Sequence, residues 1–263
     1  MNNYVRLIGR VSKKPVLYNG VDYLGNQTIN MKLGLLVSSP KKLGKQDFFF
    51  FVRMIEKNVK ELVSQLEAGQ TVCVCGVLRS TDIKNPDGTT RYYCEVLADS
   101  IFLTGPAAIE DCNNVTLYGK VSQKPELTYW HTNNGQKMPI LKLGLLVKPP
   151  KSVDNKELFY FVKLLGEDAL LVQQTIDIGS EIQIDGLLRG QSKDGQYLCD
   201  IIANNISIAI TKKNENIFGL SKNVVSSTPI TPVVVGGTMA KNSGKQSGFG
   251  QMVIPDNIDE LIG

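Results

Sequence analysis

The residues Val5-Arg-Leu-Ile-Gly-Arg-Val-Ser-Lys-Lys-Pro15 return 110 positions later as Val115-Thr-Leu-Tyr-Gly-Lys-Val-Ser-Gln-Lys-Pro125. The same shift carries Met31-Lys-Leu-Gly-Leu-Leu-Val37 onto Leu141-Lys-Leu-Gly-Leu-Leu-Val147, and Phe48-Phe-Phe-Phe-Val-Arg53 onto Leu158-Phe-Tyr-Phe-Val-Lys163. It continues through Gly69 and Gly179, Gly76 and Gly186, and Arg79 and Arg189, then drops to 105, pairing Cys94 with Cys199 and Ile101 with Ile206. The second copy has therefore lost five residues between Arg79 and Arg91, where Lys84-Asn-Pro-Asp-Gly88 is a turn cluster and its counterpart is only Ser192-Lys-Asp-Gly195. Length changes where a hairpin tip should be. A repeat of roughly a hundred residues is too long for a solenoid unit, so each copy should be a domain with its own core. A chain of 263 residues has room for two.

Within each copy the pattern alternates at period two. Tyr4, Arg6, Ile8 and Arg10 oppose Val5, Leu7, Gly9 and Val11, and Val72, Val74, Gly76 and Leu78 repeat the habit. Between the strand at Phe48–Met54 and the next, Val59, Leu62, Val63 and Leu66 have helical spacing and stop at Gly69; Ala169 to Gln174 match them. Three strands, a helix and a hairpin are the order of a five-stranded oligonucleotide-binding (OB) barrel. The expected fold is all-β: tandem OB-fold domains plus a disordered C-terminal tail. The expected divisions are a first barrel over 1–105, a linker over 106–113, a second barrel over 114–211, a disordered stretch over 212–251 and a terminal interaction motif over 252–263. Inside that stretch Val233-Val-Val-Gly-Gly237 is open to two readings, a stray strand or a sticky spot.

The net charge of +4 permits a polyanionic partner without requiring one. No apolar run approaches the roughly 20 residues of a membrane-spanning helix. The N-terminal residues enter a strand pattern directly, without the segments of a secretory signal, so an intracellular protein is expected. Five cysteines without a paired C-x-x-C set argue against disulfides or a metal, and Cys73 and Cys75 suit small apolar positions on a strand. No cofactor or metal is expected. An enzyme has little support: the acids are scattered, the single histidine, His131, has no counterpart in the first copy, and no glycine-rich phosphate loop precedes a helix.

The opening Val5-Arg-Leu-Ile-Gly-Arg-Val with Pro15, the strand Asp47-Phe-Phe-Phe-Phe-Val, and the hairpin from Asp87-Gly88 to Glu95-Val-Leu-Ala-Asp-Ser100 resemble the bacterial single-stranded DNA-binding protein family. Their order spans the first copy and recurs in the second, including Pro125-Glu-Leu-Thr-Tyr129 and Asp194-Gly195. The resemblance implies a protein that coats single-stranded DNA independently of sequence during replication, recombination and repair. It implies a cytoplasmic, nucleoid-associated setting, and, for the form with two barrels per chain, a homodimer presenting four OB folds; a two-fold dimer is also the commonest homo-oligomer.

A sequence-tolerant binder of single strands needs a basic groove and aromatic platforms. Alternation puts Phe49, Phe51 and Arg53 on one face and Phe48, Phe50, Val52 and Met54 on the other; Phe159, Phe161 and Lys163 repeat the first set. In the family an aromatic stacks on DNA at the position matched by Phe49 and, in the second copy, Phe159. Four consecutive phenylalanines would equally suit a strand buried on both faces. Tyr18, Tyr92 and Tyr93, and Tyr129, Trp130 and Tyr197, are further aromatic candidates, Trp130 foremost. Arg6, Arg10, Lys32, Arg53, Arg79 and Arg91 recur in part as Lys120, Lys142, Lys163 and Arg189 and are expected on solvent faces, holding phosphates. The second copy lacks partners for Arg6 and Arg91, so the first barrel should make more contacts. At the position of the family's hairpin aromatic stands Ile83, which has no ring to stack.

The family's acidic tip, which docks replication and repair proteins, ends in Pro-Phe. Here Ile254, Pro255, Asp256, Ile258, Asp259, Glu260, Leu261 and Ile262 keep the acidic and apolar mixture without a terminal aromatic. A disordered arm ending so suits a partner that it folds upon, or a merely solubilising tail. The rival to DNA binding is a non-catalytic OB-fold adaptor for RNA or protein, because fold does not fix ligand.

Overall fold

A computed structural model describes residues 2–21, 24–39, 47–55, 59–84, 90–104, 112–131, 136–150, 156–193, 196–209 and 233–235. In the first copy the elements are β1 (Asn3–Val11), β2 (Val16–Val21), β3 (Gln27–Ser38), β4 (Asp47–Ile55), α1 (Val59–Gln65), β5 (Thr71–Lys84) and β6 (Thr90–Leu103). The second repeats them as β7 (Cys112–Val121), β8 (Glu126–His131), β9 (Lys137–Val147), β10 (Leu158–Leu165), α2 (Asp168–Thr175), β11 (Glu181–Lys193) and β12 (Gln196–Ile208), and β13 (Val233–Val235) follows.

Each copy closes into a barrel by the same pairings. β1 runs antiparallel to β5 through Val5↔Gly76 and also meets β3 through Arg10↔Leu36; β3 pairs with β4, and β4 meets β6 in parallel at Val52↔Val96. β5 and β6 form the long antiparallel hairpin. This circuit of five strands with a helix between β4 and β5 is the OB fold, and the second copy repeats it. The sequence reading counted five strands; β2 and β8 are additional, each hairpinned onto the strand that follows. They escaped because β2 is exposed along nearly its whole length, so its residues carry no apolar alternation.

Alternation on β4 decides which phenylalanines build the core. Phe48 and Phe50 are 2% and 1% exposed, with Val52 and Met54 behind them, while Phe49 and Phe51 are half-buried on the opposite face. Burying such a ring contributes about 1.5 to 3 kcal/mol relative to leaving it in water.

The two barrels share a sheet. β1 pairs antiparallel with β7 in the register Val5↔Val115, joining equivalent residues about an approximate two-fold axis. Near this seam the Asn3 amide donates to Leu78 O (2.7 Å) and accepts from Leu78 N (2.9 Å); Asn113 makes the same two bonds to Leu188. One contact breaks the symmetry. Tyr160 stands where the first copy has Phe50; its buried hydroxyl donates to Leu78 O in the other barrel and accepts from Asn3 Nδ2 (3.4 Å). β7 begins at Cys112, inside the stretch read as linker, and Val233–Val235 pairs antiparallel with Ile206–Ile208 of β12.

Candidate nucleic-acid interface

The outward side chains of β3, β4, β6 and β5 form parallel rows, because residues opposite one another in register share a face. One row is charged. Lys32 lies opposite Arg53, and Arg79 opposite Glu95; the Glu95 carboxylate on β6 holds Arg53 Nη2 at 2.7 Å and Arg79 Nη1 at 3.6 Å. The next row is aromatic: Phe51, facing Gly34, has its ring centroid 5.7 Å from that of Tyr93, and Lys32 Nζ sits 4.5 Å above the Phe51 ring. The third row holds Arg10, Leu36 and Phe49, the Phe49 ring meeting Phe51 edge-on at 4.9 Å. Burial first, then the neighbouring Glu95, raises the pKa of the Tyr93 hydroxyl well above that of an ordinary tyrosine, so it remains a neutral donor.

The Phe49 ring needs Gly34. A Cβ on Gly34 would overlap Ser12 Oγ and lie 2.8 Å from Phe49 Cε2, so the missing side chain is the ring's seat. Gly144 seats Phe159 in the same way, at 2.6 Å from Phe159 Cε2, and Phe159 meets Phe161 at 4.8 Å. The charged row also recurs: Lys142 opposite Lys163, Arg189 opposite Asp200, and Lys163 Nζ 3.4 Å from the Asp200 carboxylate.

The fold thus brings together Lys32, Phe49, Phe51, Arg53 and Arg79, with Arg10 at their border in an exposed 2.6 Å pair with Asp47. In the second barrel it brings together Lys142, Phe159, Phe161 and Lys163, with Lys120 opposite Leu146 and 3.6 Å from Glu181. Trp130, half-buried opposite Met138, lies along the same ribbon as Lys142. Two basic positions differ from the solvent-facing expectation: Arg189 is 2% and Lys163 9% exposed. Lys163 turns in on Asp200, and burial, only partly offset by that carboxylate, lowers its pKa. Arg6 stands apart, on the outer side of the β1–β7 seam between Cys75 and Asn114. The backbones of Arg91 and Tyr92 lie on β6, but their side chains, those of Ile83 and Tyr197, and the whole tail from Ile254 to Ile262 lie outside the described residues. Sequence reasoning missed Glu95, Asp200, Gly34 and Gly144. The signal was present, since the acids recur at the 105 shift and the glycines at 110.

No family model and no curated protein matches the chain. Among solved structures, a deletion mutant of the single-stranded DNA-binding protein from Thermus aquaticus superposes with a TM-score of 0.62 at 20% identity, covering 80% of this chain and 95% of the other. The wild-type form of that protein gives 0.60 at 20% identity, covering 80% and 93%. The chain has the tandem OB fold of that protein. Coverage of four fifths at this similarity takes in both barrels, so the duplicated architecture, and not one barrel alone, is shared. Among the described residues of this tandem OB fold, no group of three or more His, Cys, Asp or Glu could hold a metal ion, and no helix is long and apolar enough to cross a membrane.

Proposed function

We propose that the chain binds single-stranded DNA without regard to sequence and without chemistry on it, coating the strand during replication, recombination and repair. The observation that carries this reading is the adjacent charged and aromatic rows, repeated on both barrels of this fold. Cations meet phosphates while Phe49, Phe51, Phe159 and Phe161 offer ring faces to bases, each stacked base contributing about 1 to 3 kcal/mol. The chain acts as a homodimer of four barrels. In support, Phe102 on β6, opposite the buried Cys73, keeps 59% of its surface exposed, an uncovered ring that a second copy would bury. Residues 252–263 serve as the motif that recruits replication and repair proteins.

The test is a titration with oligo-dT, matched duplex and single-stranded RNA at two salt concentrations. Tight binding confined to single strands, weakened by salt and by Phe49→Ala, is expected. Equal affinity for duplex would refute the reading; preference for RNA would favour the adaptor.

A further inference from the structure

We infer that Glu95 is a positioning residue that acts as a built-in counter-anion, holding Arg53 and Arg79 in register in the free protein and competing with DNA phosphates for them. The inference rests on the single-strand-binding reading. An acid is chemically out of place on a face meant for a polyanion, yet this one is central. It lies on β6, between β4 and β5, 2.7 Å from one arginine and 3.6 Å from the other, and only 13% exposed. A stray surface carboxylate would sit in water and screen its charge; this one is held against two guanidiniums in a partly dry row. The second barrel repeats the device with Asp200 and Lys163, although the five-residue deletion shifts the numbering between the two acids.

Two consequences oppose each other. Without Glu95, Arg53 and Arg79 repel one another, so the carboxylate holds them in register for a passing strand. Once phosphates arrive, the same carboxylate remains beneath them, adding repulsion to each contact that Arg53 or Arg79 makes. At about 6 Å and an effective dielectric of about 40, between a protein surface and bulk water, the repulsion between one carboxylate and one phosphate corresponds to roughly tenfold in affinity. Arg53 and Arg79, at 16% and 28% side-chain exposure, are already confined by their strands and leave little rotamer freedom for the carboxylate to remove. Competition therefore dominates, and the first barrel is held below its maximal affinity. For a protein that must yield its strand to other proteins, that is a useful state.

The experiment uses the full chain and fluorescein-labelled oligo-dT. Glu95→Gln should bind about tenfold more tightly at low salt, with a salt slope steeper by about 0.7 for each phosphate newly neutralised. Glu61→Gln, which makes the same charge change on the exposed face of α1, should stay within about twofold. Glu95→Asp, which keeps the charge, should stay near wild type. If Glu95→Gln loses its native melting transition, the comparison moves to the charge-balanced background: Arg79→Gln with Glu95→Gln should bind about tenfold more tightly than Arg79→Gln alone. Unchanged or weaker binding on neutralising Glu95 in a folded protein, or an equal gain from Glu61→Gln, overturns the inference. Wild-type protein that ignores oligo-dT would instead refute the function itself.

Discussion

Gly34→Ala is the most incisive perturbation of the proposed interface, because it changes no group that could touch DNA. The added methyl would overlap Ser12 Oγ and stand 2.8 and 2.9 Å from Cε2 and Cζ of Phe49. The serine can rotate away; the ring can only tilt or lift. Overpacking of this kind costs about 1 to 3 kcal/mol of stability, a fall of roughly 2 to 4 °C in Tm per kcal/mol for a chain of this size. The larger effect should be on binding: a displaced Phe49 loses its stacked base, about 1 to 3 kcal/mol, or roughly 5- to 150-fold in Kd. Fluorescence anisotropy with a short oligo-dT reads this directly, and the cycle with Phe49→Ala decides the cause. If Gly34 acts through the ring, Gly34→Ala adds nothing to binding once Phe49 is alanine. Additive losses, or wild-type affinity in Gly34→Ala with a native melt, would refute the seat. Gly144→Ala should reproduce the effect through Phe159.

Three further outcomes are expected. Asp200→Asn leaves Lys163, 9% exposed, without its carboxylate and should cost about 3 kcal/mol in a denaturant titration, whereas Asp47→Asn, which breaks the exposed Arg10 pair, should cost under about 1. Tyr160→Phe should cost only about 1 kcal/mol, because Leu78 O keeps its bond from Asn3; burial raises the Tyr160 pKa, so its share of stability is whole below pH 10.0 and lost as pH rises above it, and the variant should lose less in an alkaline melt. Removing residues 252–263 should leave oligo-dT affinity at least intact while abolishing capture of replication and repair proteins; loss of DNA binding would mean the tail has a different role.

The barrel was legible because its signal is local. Phe48 and Phe50 alternate with Phe49 and Phe51 within four residues, and period two alone sorts core from surface. β2 was not, since Val16, Leu17 and Tyr18 are exposed and a strand held only by its hairpin partner needs no apolar face. Burial of cations was equally hidden. Alternation gives the side of the strand on which Arg189 lies, but the register that sets it opposite Asp200 across a hairpin, and Asp200 within 3.4 Å of Lys163 from another strand, is nothing a local pattern can align. In the sequence Gly34 is only a residue without a side chain in an apolar stretch; the register Gly34↔Phe51, with Phe49 folded back over it, makes it a seat.

The repeat does not make the barrels equal, and their differences predict a division by salt. In the first, Lys32 is exposed over Phe51 and Arg79 retains 28% of its side-chain surface, whereas Arg189 is buried and Lys142 half-buried. The aromatic row shows the reverse: Phe51 is flanked by Tyr93 and Lys32, but Phe161 is 44% exposed, and the 105 shift gives Tyr93 a leucine, Leu198, as its counterpart. If the chain binds a single strand as proposed, phosphate contacts should concentrate on the first barrel and stacking on exposed ring surface on the second. Counterion release makes phosphate contacts fade with salt, about 0.7 in the log–log slope for each one on a single strand, while stacking is nearly indifferent to it. Lys32→Ala should flatten the salt dependence of oligo-dT binding by about that amount, and Phe161→Ala should lower affinity about 5-fold or more at every salt concentration without changing the slope. Equal slopes for Lys32→Ala and wild type, or a slope change in Phe161→Ala, would show that the two barrels grip the strand in the same way despite their different surfaces.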